Sequence, residues 1–280
     1  MSRDVSSSSF GGFHEMPLVL FTALGVAGGG VGAAGLLRAA LSWRPLHLTQ
    51  FEAVVLSGLL GIGFLISAGH LGKPLRGPLA VRGIGRSALS HEVLALGVAL
   101  AGGLSGVVLP STHPLQGTSD LVAGVGSVAF LLTVGAVYHL PGQRTWRGPV
   151  VLQPLVLGIA WGLLLGGGSP EGSLTGSWVR ALWVTLLLDG VIVLLRNAAM
   201  ERAGRAGAAS YPGVFRLRGL VMGARLALSA LLTPLALLGS WWGVALSALS
   251  LACLLDRFGF YALAVRETTE SEVARVEGLL

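Results

Sequence analysis

The protein has 280 residues, of which 53% are hydrophobic and only 11% are charged. Soluble domains carry about 25% charged residues, so this composition excludes a soluble globular protein. Mean hydropathy is +0.76, and apolar stretches recur along the sequence, each long enough to cross the ~30 Å hydrocarbon layer of a bilayer. The formal net charge is +6. In a membrane protein, excess lysine and arginine residues usually reflect its orientation in the membrane or a surface that docks a partner, rather than nucleic-acid binding.

There is one cysteine, Cys253, which lies within an apolar stretch. A disulfide within the protein is therefore excluded. An iron–sulfur cluster held by this protein alone is also excluded, because such clusters take several thiolates. If the protein moves electrons, the metal centres are expected on a partner. The first residues lack the features of a cleaved signal peptide, so the first apolar span is expected to be retained.

The apolar stretches predict an all-α integral membrane protein with eight transmembrane helices in a bundle, forming a single polytopic membrane domain over residues 1–280. Pro110 and Pro114 end the third span, because proline cannot continue a helix without loss of a backbone hydrogen bond. Trp241 and Trp242 mark a tight turn between the last two spans, since tryptophan favours the headgroup region. The predicted spans are 16–40, 50–69, 90–109, 120–139, 149–167, 178–196, 219–238 and 243–264.

Positive charge is concentrated on one side of the predicted bundle. With eight spans, both termini share a side with the loops after the second, fourth and sixth spans. Those loops hold Lys73, Arg76, Arg82, Arg86, Arg144, Arg147, Arg196, Arg202, Arg205, Arg216 and Arg218, and the opposite loops hold Arg38, Arg44 and Arg180. The positive-inside rule then places the termini and the basic loops in the cytoplasm. A basic face selected to dock an acidic partner gives the same distribution.

His70 and Glu92 flank one basic loop, on the same side of the predicted bundle. Histidine has an unperturbed pKa near ~6.5, which suits proton exchange at neutral pH. A carboxylate one turn inside a span is costly unless it has a partner or a wet cavity. This pair is a candidate acceptor of protons from a quinol. The alternatives are an interfacial histidine and a helix-start acid that the helix dipole favours.

Six histidines lie at span ends or in loops, and none lies in mid-membrane. A membrane b-haem usually needs two histidines on facing helices within the bilayer. His70 and His139 lie on one side and would be the ligand pair of a haem-bearing cytochrome b type subunit. This interpretation remains an alternative.

Four charged residues lie deeper in the last three spans: Asp189, Arg225, Asp256 and Arg257. Isolated charges in lipid are expensive, so these side chains are expected to face inward and to pair. Two acids and two arginines allow neutral ion pairs, and a proton pathway is the functional alternative. The aromatic run that follows, Phe258 to Tyr261, is expected to be an interfacial belt or part of a quinone-ring wall.

Three short blocks in the first half of the sequence carry recognisable motifs. Phe13 to Thr22 reads FHEMPLVLFT, Gly61 to Pro74 contains GIGF and HLGKP, and Ser87 to Glu92 reads SALSHE. These blocks resemble the HEWPL…FT signature and the GIGF…HLG.P….SALSNE run of the membrane anchor subunit of bacterial dimethyl sulfoxide reductase. Later positions that resemble the family are Val137, Tyr138, Trp146, Pro154, Arg257, Phe260 and Tyr261.

The resemblance implies a quinol-oxidising anchor that holds neither haem nor an iron–sulfur cluster. Such anchors hold a molybdopterin catalytic subunit and a four-cluster iron–sulfur subunit on the bacterial cytoplasmic membrane, in anaerobic respiration. The catalytic subunit, not the anchor, would reduce the terminal acceptor. The family's histidine in HLG and glutamate in SALSNE are linked to menaquinol binding, and here they fall on His70 and Glu92. The other residues expected at the quinol site are Gly72, Lys73, Arg76 and Tyr138.

The sequence departs from the family pattern at His91, which adds an ionisable group where the family has asparagine. The family is usually drawn with its termini in the periplasm, which is the reverse of the orientation that the charge rule gives. Two further alternatives remain open. One is a passive anchor whose quinol site has decayed. The other is a polytopic transporter, which would have broken helices, for example at Gly28–Gly30 or Gly102–Gly103.

Overall fold

The protein folds into a bundle of helices. The structure, a computed structural model, describes residues 16–70, 88–136, 151–167, 176–204, 208–209, 216–262 and 265–266. The helices are α1 (Met16–Ser42), α2 (Gln50–His70), α3 (Ala88–Val108), α4 (Gln116–Ala136), α5 (Gln153–Gly167), α6 (Gly176–Gly204), α7 (Arg218–Leu238) and α8 (Trp242–Ala262). Each predicted span overlaps one helix, so the all-α class is confirmed. The single-domain organisation stays a prediction.

Seven of the described helices are long and apolar enough to cross a membrane. The exception is α5, which has 15 residues. At 1.5 Å per residue it is ~23 Å long, shorter than the ~30 Å hydrocarbon layer. Of the eight predicted spans, seven therefore correspond to helices that are long enough to cross a membrane.

The side chains that face outward from the bundle are apolar. Leu65, Leu187 and Leu220 are each about two-thirds or more exposed, whereas Glu92 and Asp256 are buried. This distribution is the reverse of a soluble protein and fits lipid as the surrounding solvent.

The backbone reverses after α1 and after α7 through a residue in the left-handed conformation. Trp43 and Ser240 have φ values of 52° and 59°. After α7 the Trp241 N–H donates to the Ala236 carbonyl over 2.7 Å, and the Ser240 N–H donates to the Leu237 carbonyl over 3.0 Å. These are the two hydrogen bonds of a Schellman cap. The predicted tight turn between the last two spans is thus present.

One helix changes its hydrogen-bonding pattern within the membrane. In α7, an α-helical start (Arg218–Leu226) is followed by a π-helical segment (Ala227–Leu232) and an α-helical end (Thr233–Leu238). Pro234 lies just after the π segment, and the Thr233 hydroxyl donates to the Leu228 carbonyl over 2.8 Å. The Leu228 carbonyl also accepts the Thr233 backbone N–H, so the hydroxyl adds a second hydrogen bond to a carbonyl of the π segment.

The two glycine clusters that suggested helix breaks lie inside continuous helices. Gly28–Gly30 is within α1 and Gly102–Gly103 is within α3. Both serve close packing instead. A Cβ atom at Gly102 would come within 2.3 Å of the Ala123 backbone nitrogen in α4. The broken helices that a transporter would have are therefore not found at these glycines.

Helix α1 lies at the centre of the bundle and contacts α2, α4, α5 and α8. Its crossing with α5 is made by small residues. A Cβ atom at Gly30 would lie 2.1 Å from the Gly158 carbonyl oxygen, and one at Gly162 would lie 2.2 Å from the Gly30 carbonyl oxygen. Gly158 and Gly162 are four residues apart on one face of α5, which is the small-xxx-small spacing of close helix pairs in membranes.

The two ends of the bundle are assigned from contacts along α1. Val19, near the start of α1, packs against Phe260 and Tyr261 of α8, and Gly63 of α2 approaches Phe21. We call this the proximal end. It contains the start of α1, the end of α2 and the end of α8. A short antiparallel pair between β1 (Ala208–Ala209) and β2 (Val265–Arg266) brings the segment after α6 to the same end. We call the other end of the bundle, where α1 ends, the distal end.

We expect Gly30→Ala to destabilise the bundle, because its methyl group would overlap the α5 backbone. Overpacking costs about 1–3 kcal/mol in well-packed cores. The measurement is thermal unfolding in detergent. Gly97→Ala is the matched control, because nothing lies within 4 Å of a Cβ atom at that exposed position of α3. Equal melting temperatures for the two variants would contradict the close α1–α5 crossing.

Candidate functional site

The end of α2 and the start of α3 lie at the proximal end of the bundle. The two helices pack against each other, and Gly103, late in α3, approaches Leu56 and Ser57 in the first half of α2. This contact makes the helices antiparallel neighbours. His70 is the last residue of α2, and Glu92 lies in the second turn of α3. The backbone therefore places both candidate residues at one end of the bundle.

Glu92 is buried, with 4% of its surface exposed. It shares one face of α3 with Ala95, Leu96 and Ala99, which are buried in the core. The 3- and 4-residue spacing of this set is the spacing of one helix face. No ion pair joins Glu92 to another described residue. A buried carboxylate of this kind is available for a ligand or a proton.

Part of the predicted quinol site lies outside the described residues. This holds for Gly72, Lys73, Arg76 and Tyr138, and for the side chain of His70. His139, the second candidate haem ligand, also lies outside them. The assignment of all these residues to a site stays a prediction.

The deep charges form an ion-pair network, as the sequence predicts. Arg225 of α7 directs both of its terminal nitrogens at the two carboxylate oxygens of Asp189 in α6, which is the two-bond fork that arginine forms with carboxylates. Arg225 Nη1 also donates to the Ser229 hydroxyl over 2.8 Å. Both charged side chains are fully buried.

Asp256 of α8 joins the three helices of this network. Its Oδ1 atom accepts a hydrogen bond from Arg196 Nη1 over 3.1 Å and lies 3.4 Å from Arg225 Nε. Its Oδ2 atom accepts one from Arg257 Nε over 2.9 Å. One carboxylate thus contacts three guanidinium groups from α6, α7 and α8.

The position of Arg196 contradicts two predictions, one about where this residue lies and one about the charge balance of the network. It was placed in the loop after the sixth span, but α6 continues to Gly204 and Arg196 is 1% exposed inside the bundle. Its inclusion gives the network three arginines and two aspartates among the described residues, so the charge is not balanced as predicted. The Gln153 side-chain oxygen of α5 accepts a further hydrogen bond from Arg196 Nη1, over 3.3 Å. Arg196 lies seven residues after Asp189 on α6, and this spacing was the sequence signal for a shared face.

The aromatic residues at the end of α8 are not a lipid-facing belt. Phe260 and Tyr261 are 2% and 3% exposed and pack against Val19 of α1. The Cζ atoms of Arg196 and Arg257 lie 5.4 Å and 5.0 Å from the Phe260 ring centroid. At these distances the ring contributes a cation–π interaction to both guanidinium groups.

A second group of charges, separate from this network, links α1 and α2 at the distal end. Thr49 and Glu52 form a capping box at the start of α2. The Thr49 N–H donates to Glu52 Oε2 over 3.0 Å, and the Glu52 N–H donates to the Thr49 hydroxyl oxygen over 3.2 Å. The second oxygen of Glu52 pairs with Arg38 of α1. The spacing Thr-x-x-Glu is the sequence signal for such a cap, but this cap was not predicted.

Comparison with known proteins assigns the family. The model of the DMSO reductase anchor subunit family (DmsC) matches residues 10–202. This match covers α1 to most of α6, and it includes His70 and Glu92. The protein belongs to the DMSO reductase anchor subunit family. Arg225, Asp256 and Arg257 lie beyond the matched range.

Three proteins illustrate how far the similarity extends. The C subunit of anaerobic dimethyl sulfoxide reductase from Haemophilus influenzae is 30% identical over 162 residues, which are 54% of this sequence and 56% of that protein. The YnfH subunit of anaerobic dimethyl sulfoxide reductase from Escherichia coli is 32% identical over 146 residues, 49% of this sequence and 50% of that protein. The C subunit from Escherichia coli is 39% identical over 112 residues, 38% of each. The sequence thus spans about half or less of the length of these curated relatives.

We expect Asp189→Asn to destabilise the bundle strongly, because Arg225 would then lose its bidentate partner inside the membrane. Breaking a buried ion pair from one side costs about 3–5 kcal/mol in soluble proteins. The measurement is again detergent unfolding, with Arg216→Met at an exposed position as the control for loss of one charge.

The double variant Asp189→Asn with Arg225→Met sharpens this test. It removes both members of the fork, so it should be less destabilised than the sum of the two single variants. Additive effects would contradict a direct Asp189–Arg225 interaction.

Proposed function

We propose that this protein is the membrane anchor and quinol-oxidising subunit of a dimethyl sulfoxide reductase-like molybdoenzyme complex. The supporting observation is the position of Glu92, a buried carboxylate near the start of α3, in a member of the anchor family. The predicted proton acceptor His70 ends the neighbouring helix α2 at the same end of the bundle.

The proposed reaction oxidises a quinol at the proximal end. A quinol enters from the lipid, and its hydroxyl groups hydrogen-bond to Glu92 and His70. Loss of two protons to these side chains and of two electrons converts the quinol to a quinone. A carboxylate and an imidazole within hydrogen-bond reach suit this proton transfer, because each can accept and release a proton near neutral pH in a suitable environment. Menaquinol is the quinol that the family resemblance favours.

The electrons pass to an iron–sulfur partner subunit that docks at the proximal end, and from there to a molybdopterin catalytic subunit. The partner must approach the quinol closely, so it docks on the side of the loops after α2, α4 and α6. These loops hold eight of the 19 lysine and arginine residues of the protein, whereas the loops at the distal end hold only Arg44, so they would face an acidic partner surface. The terminal acceptor is selected by the catalytic subunit. We propose that the complex lies in the bacterial cytoplasmic membrane.

We expect Glu92→Gln to lower quinol oxidation by the assembled complex, because the amide accepts no proton at neutral pH. General acid–base groups contribute typically 10²–10⁴-fold, so a loss of ~10²-fold or more is expected. The assay follows a quinol analogue spectroscopically in membranes that contain the complex. Glu201→Gln is the matched control, because Glu201 is an exposed acid near the end of α6, also at the proximal end.

The same quinol-oxidation assay tests His70→Gln. The control is His113→Gln, because His113 lies at the distal end of the bundle. His70→Gln should reduce the rate, and His113→Gln should not. Wild-type rates in both Glu92→Gln and His70→Gln, with the complex assembled, would show that the quinol site lies elsewhere.

Neutralising the basic loop between α2 and α3 should weaken partner attachment. The variant carries Lys73→Gln, Arg76→Gln, Arg82→Gln and Arg86→Gln. Its difference from wild type should be greatest at low ionic strength, because salt screens surface charges. The measurement is the fraction of partner subunits that sediments with membranes. Arg44→Gln, an exposed position at the distal end, is the control. Attachment equal to wild type at every salt concentration would contradict docking through this loop.

A further inference from the structure

The proximal half of α2 is much less buried than its distal half. Five of the nine positions from 52 to 60 are buried, whereas Gly63 is the only buried position from 61 to 69. Phe64 is 39% exposed and Leu65 is 68% exposed. This exposed part of α2 lies at the same end of the bundle as the buried carboxylate Glu92, and in a membrane it meets lipid-soluble molecules.

The contacts between α2 and α3 determine which residues lie opposite each other. A Cβ atom at Gly103 of α3 would come within 2.5 Å of the Leu56 Cδ2 atom of α2. Eleven residues make about three turns of helix, so residues eleven apart lie on the same face. Because the helices are antiparallel, the pairing of Leu56 with Gly103, moved eleven residues toward the proximal end, becomes a pairing of Ser67 with Glu92.

The polar groups of this pair are both unused within the bundle. Neither the Ser67 nor the Glu92 side chain makes a hydrogen bond to a described residue. Helical serines commonly donate to the carbonyl four residues earlier, as Ser119 and Ser250 do. The Ser67 hydroxyl and the Glu92 carboxylate oxygens also keep some accessible surface, unlike the enclosed and unpaired hydroxyl of Ser57. A ligand between the two helices can therefore reach both groups.

An apolar path leads from this pair along α2 toward the middle of the membrane. Ser57, Gly61, Phe64 and Ala68 have the 4-3-4 spacing of one helix face, and Ser57 contacts α3. At Gly61 no atom of the described residues lies within 4 Å of a Cβ position. Gly61 is six residues before Ser67, which places it ~9 Å further from the proximal end. A flexible apolar chain can lie over this glycine.

These features fit an isoprenoid quinol better than a phospholipid. A quinol has an uncharged head whose hydroxyl groups both donate and accept hydrogen bonds, and its long apolar tail extends into the membrane. A phospholipid would bring its phosphate close to the Glu92 carboxylate, and like charges repel strongly where water is scarce.

We propose that the quinol lies between the proximal halves of α2 and α3, with one hydroxyl group bound by Glu92 and Ser67 and its tail passing over Gly61. This position rests on the proposed quinol oxidation and adds Ser67 and Gly61 to the site. The quinol O–H donates to the Glu92 carboxylate, and the Ser67 O–H donates to the same quinol oxygen. The second hydroxyl group remains available to His70.

Ser67 keeps its own proton throughout the proposed reaction. One quinol proton passes to Glu92 and the other to His70, and the two electrons pass to the iron–sulfur partner. The oxygen between Glu92 and Ser67 thereby becomes a carbonyl oxygen of the quinone. A donor aimed at an oxygen that gains negative charge during a reaction lowers the barrier. Ser67 is therefore expected to affect the rate of oxidation as well as binding.

The head of the quinol is tested with Ser67→Ala in membranes that contain the assembled complex. We expect kcat to fall about tenfold for menaquinol and for menadiol, which lacks the isoprenoid tail, because one hydrogen bond to a group that gains charge is lost. Ser67→Thr retains the hydroxyl group and should restore most of the rate. Ser105→Ala is the matched control, since Ser105 is an exposed serine in the distal half of α3.

The tail of the quinol is tested with Gly61→Leu. We expect KM for menaquinol to rise about fourfold, the equivalent of one buried CH₂ group, and KM for menadiol to stay at the wild-type value. Gly58→Leu is the matched control, because Gly58 has the same open space on α2 but lies outside the face that contains Ser57 and Gly61. It should leave both values unchanged.

The outcomes separate this position from the proposed function. Wild-type kinetics of either Ser67→Ala or Gly61→Leu, in a complex that Glu92→Gln impairs, would overturn the position between α2 and α3 and leave quinol oxidation intact. An equal rise in KM for menadiol and menaquinol in Gly61→Leu would overturn the tail path. Absence of quinol oxidation by the wild-type complex would overturn both proposals.

Discussion

The contact of one carboxylate with three guanidinium groups organises the second half of the bundle. Asp256 accepts hydrogen bonds from Arg196 and Arg257 and lies 3.4 Å from Arg225 Nε. Each of these charges is buried, and removal of an ion from water costs several kcal/mol even after relaxation. The charges are therefore tolerable only together. Because Arg196, Arg225 and Asp256 come from three different helices, α6, α7 and α8 must keep one arrangement, and the Asp189 fork adds a second tie between α6 and α7.

The first half of the bundle is held by a different means. Glycine residues let the backbones of α1 and α5, and those of α3 and α4, approach each other closely. This packing matters because lipid provides no hydrophobic driving force for helix association. Glu92 lies in this half, on a helix that packs against α2 and α4, whereas the ion network lies on α6 to α8 and Gln153 of α5. The buried carboxylate proposed for proton transfer is thus separate from the arginines. Among the described residues Glu92 has no arginine partner, whereas Asp189 and Asp256 are bound to arginines within the network.

How much of this could be predicted from the sequence depends on the kind of signal. The helices follow from apolar length, and the inward pairing of Asp189 and Arg225 follows from the cost of charge in lipid. Arg196 was misplaced because a span was ended where its apolar run ended, although α6 continues to Gly204. The buried position of Phe260 and Tyr261 was missed for a related reason: aromatic residues at a span end are equally consistent with a headgroup belt, and only the packing on Val19 distinguishes the two. The hydrogen bond from the Leu48 N–H to Asp120 depends on helix placement, which no local pattern encodes, whereas that of Gln116 to Asp120 is a pair four residues apart on one helix.

We propose that this protein delivers electrons from quinol to its partner subunits. The most direct measurement is a single turnover without terminal acceptor, in which a quinol analogue is mixed with the partner subunits in the presence and absence of the anchor, and reduction of the iron–sulfur clusters is followed spectroscopically. A chemical reductant confirms that the clusters are competent in both samples. We expect quinol-dependent cluster reduction only when the anchor is present. Equal cluster reduction by quinol without the anchor would contradict a role of this protein in quinol oxidation.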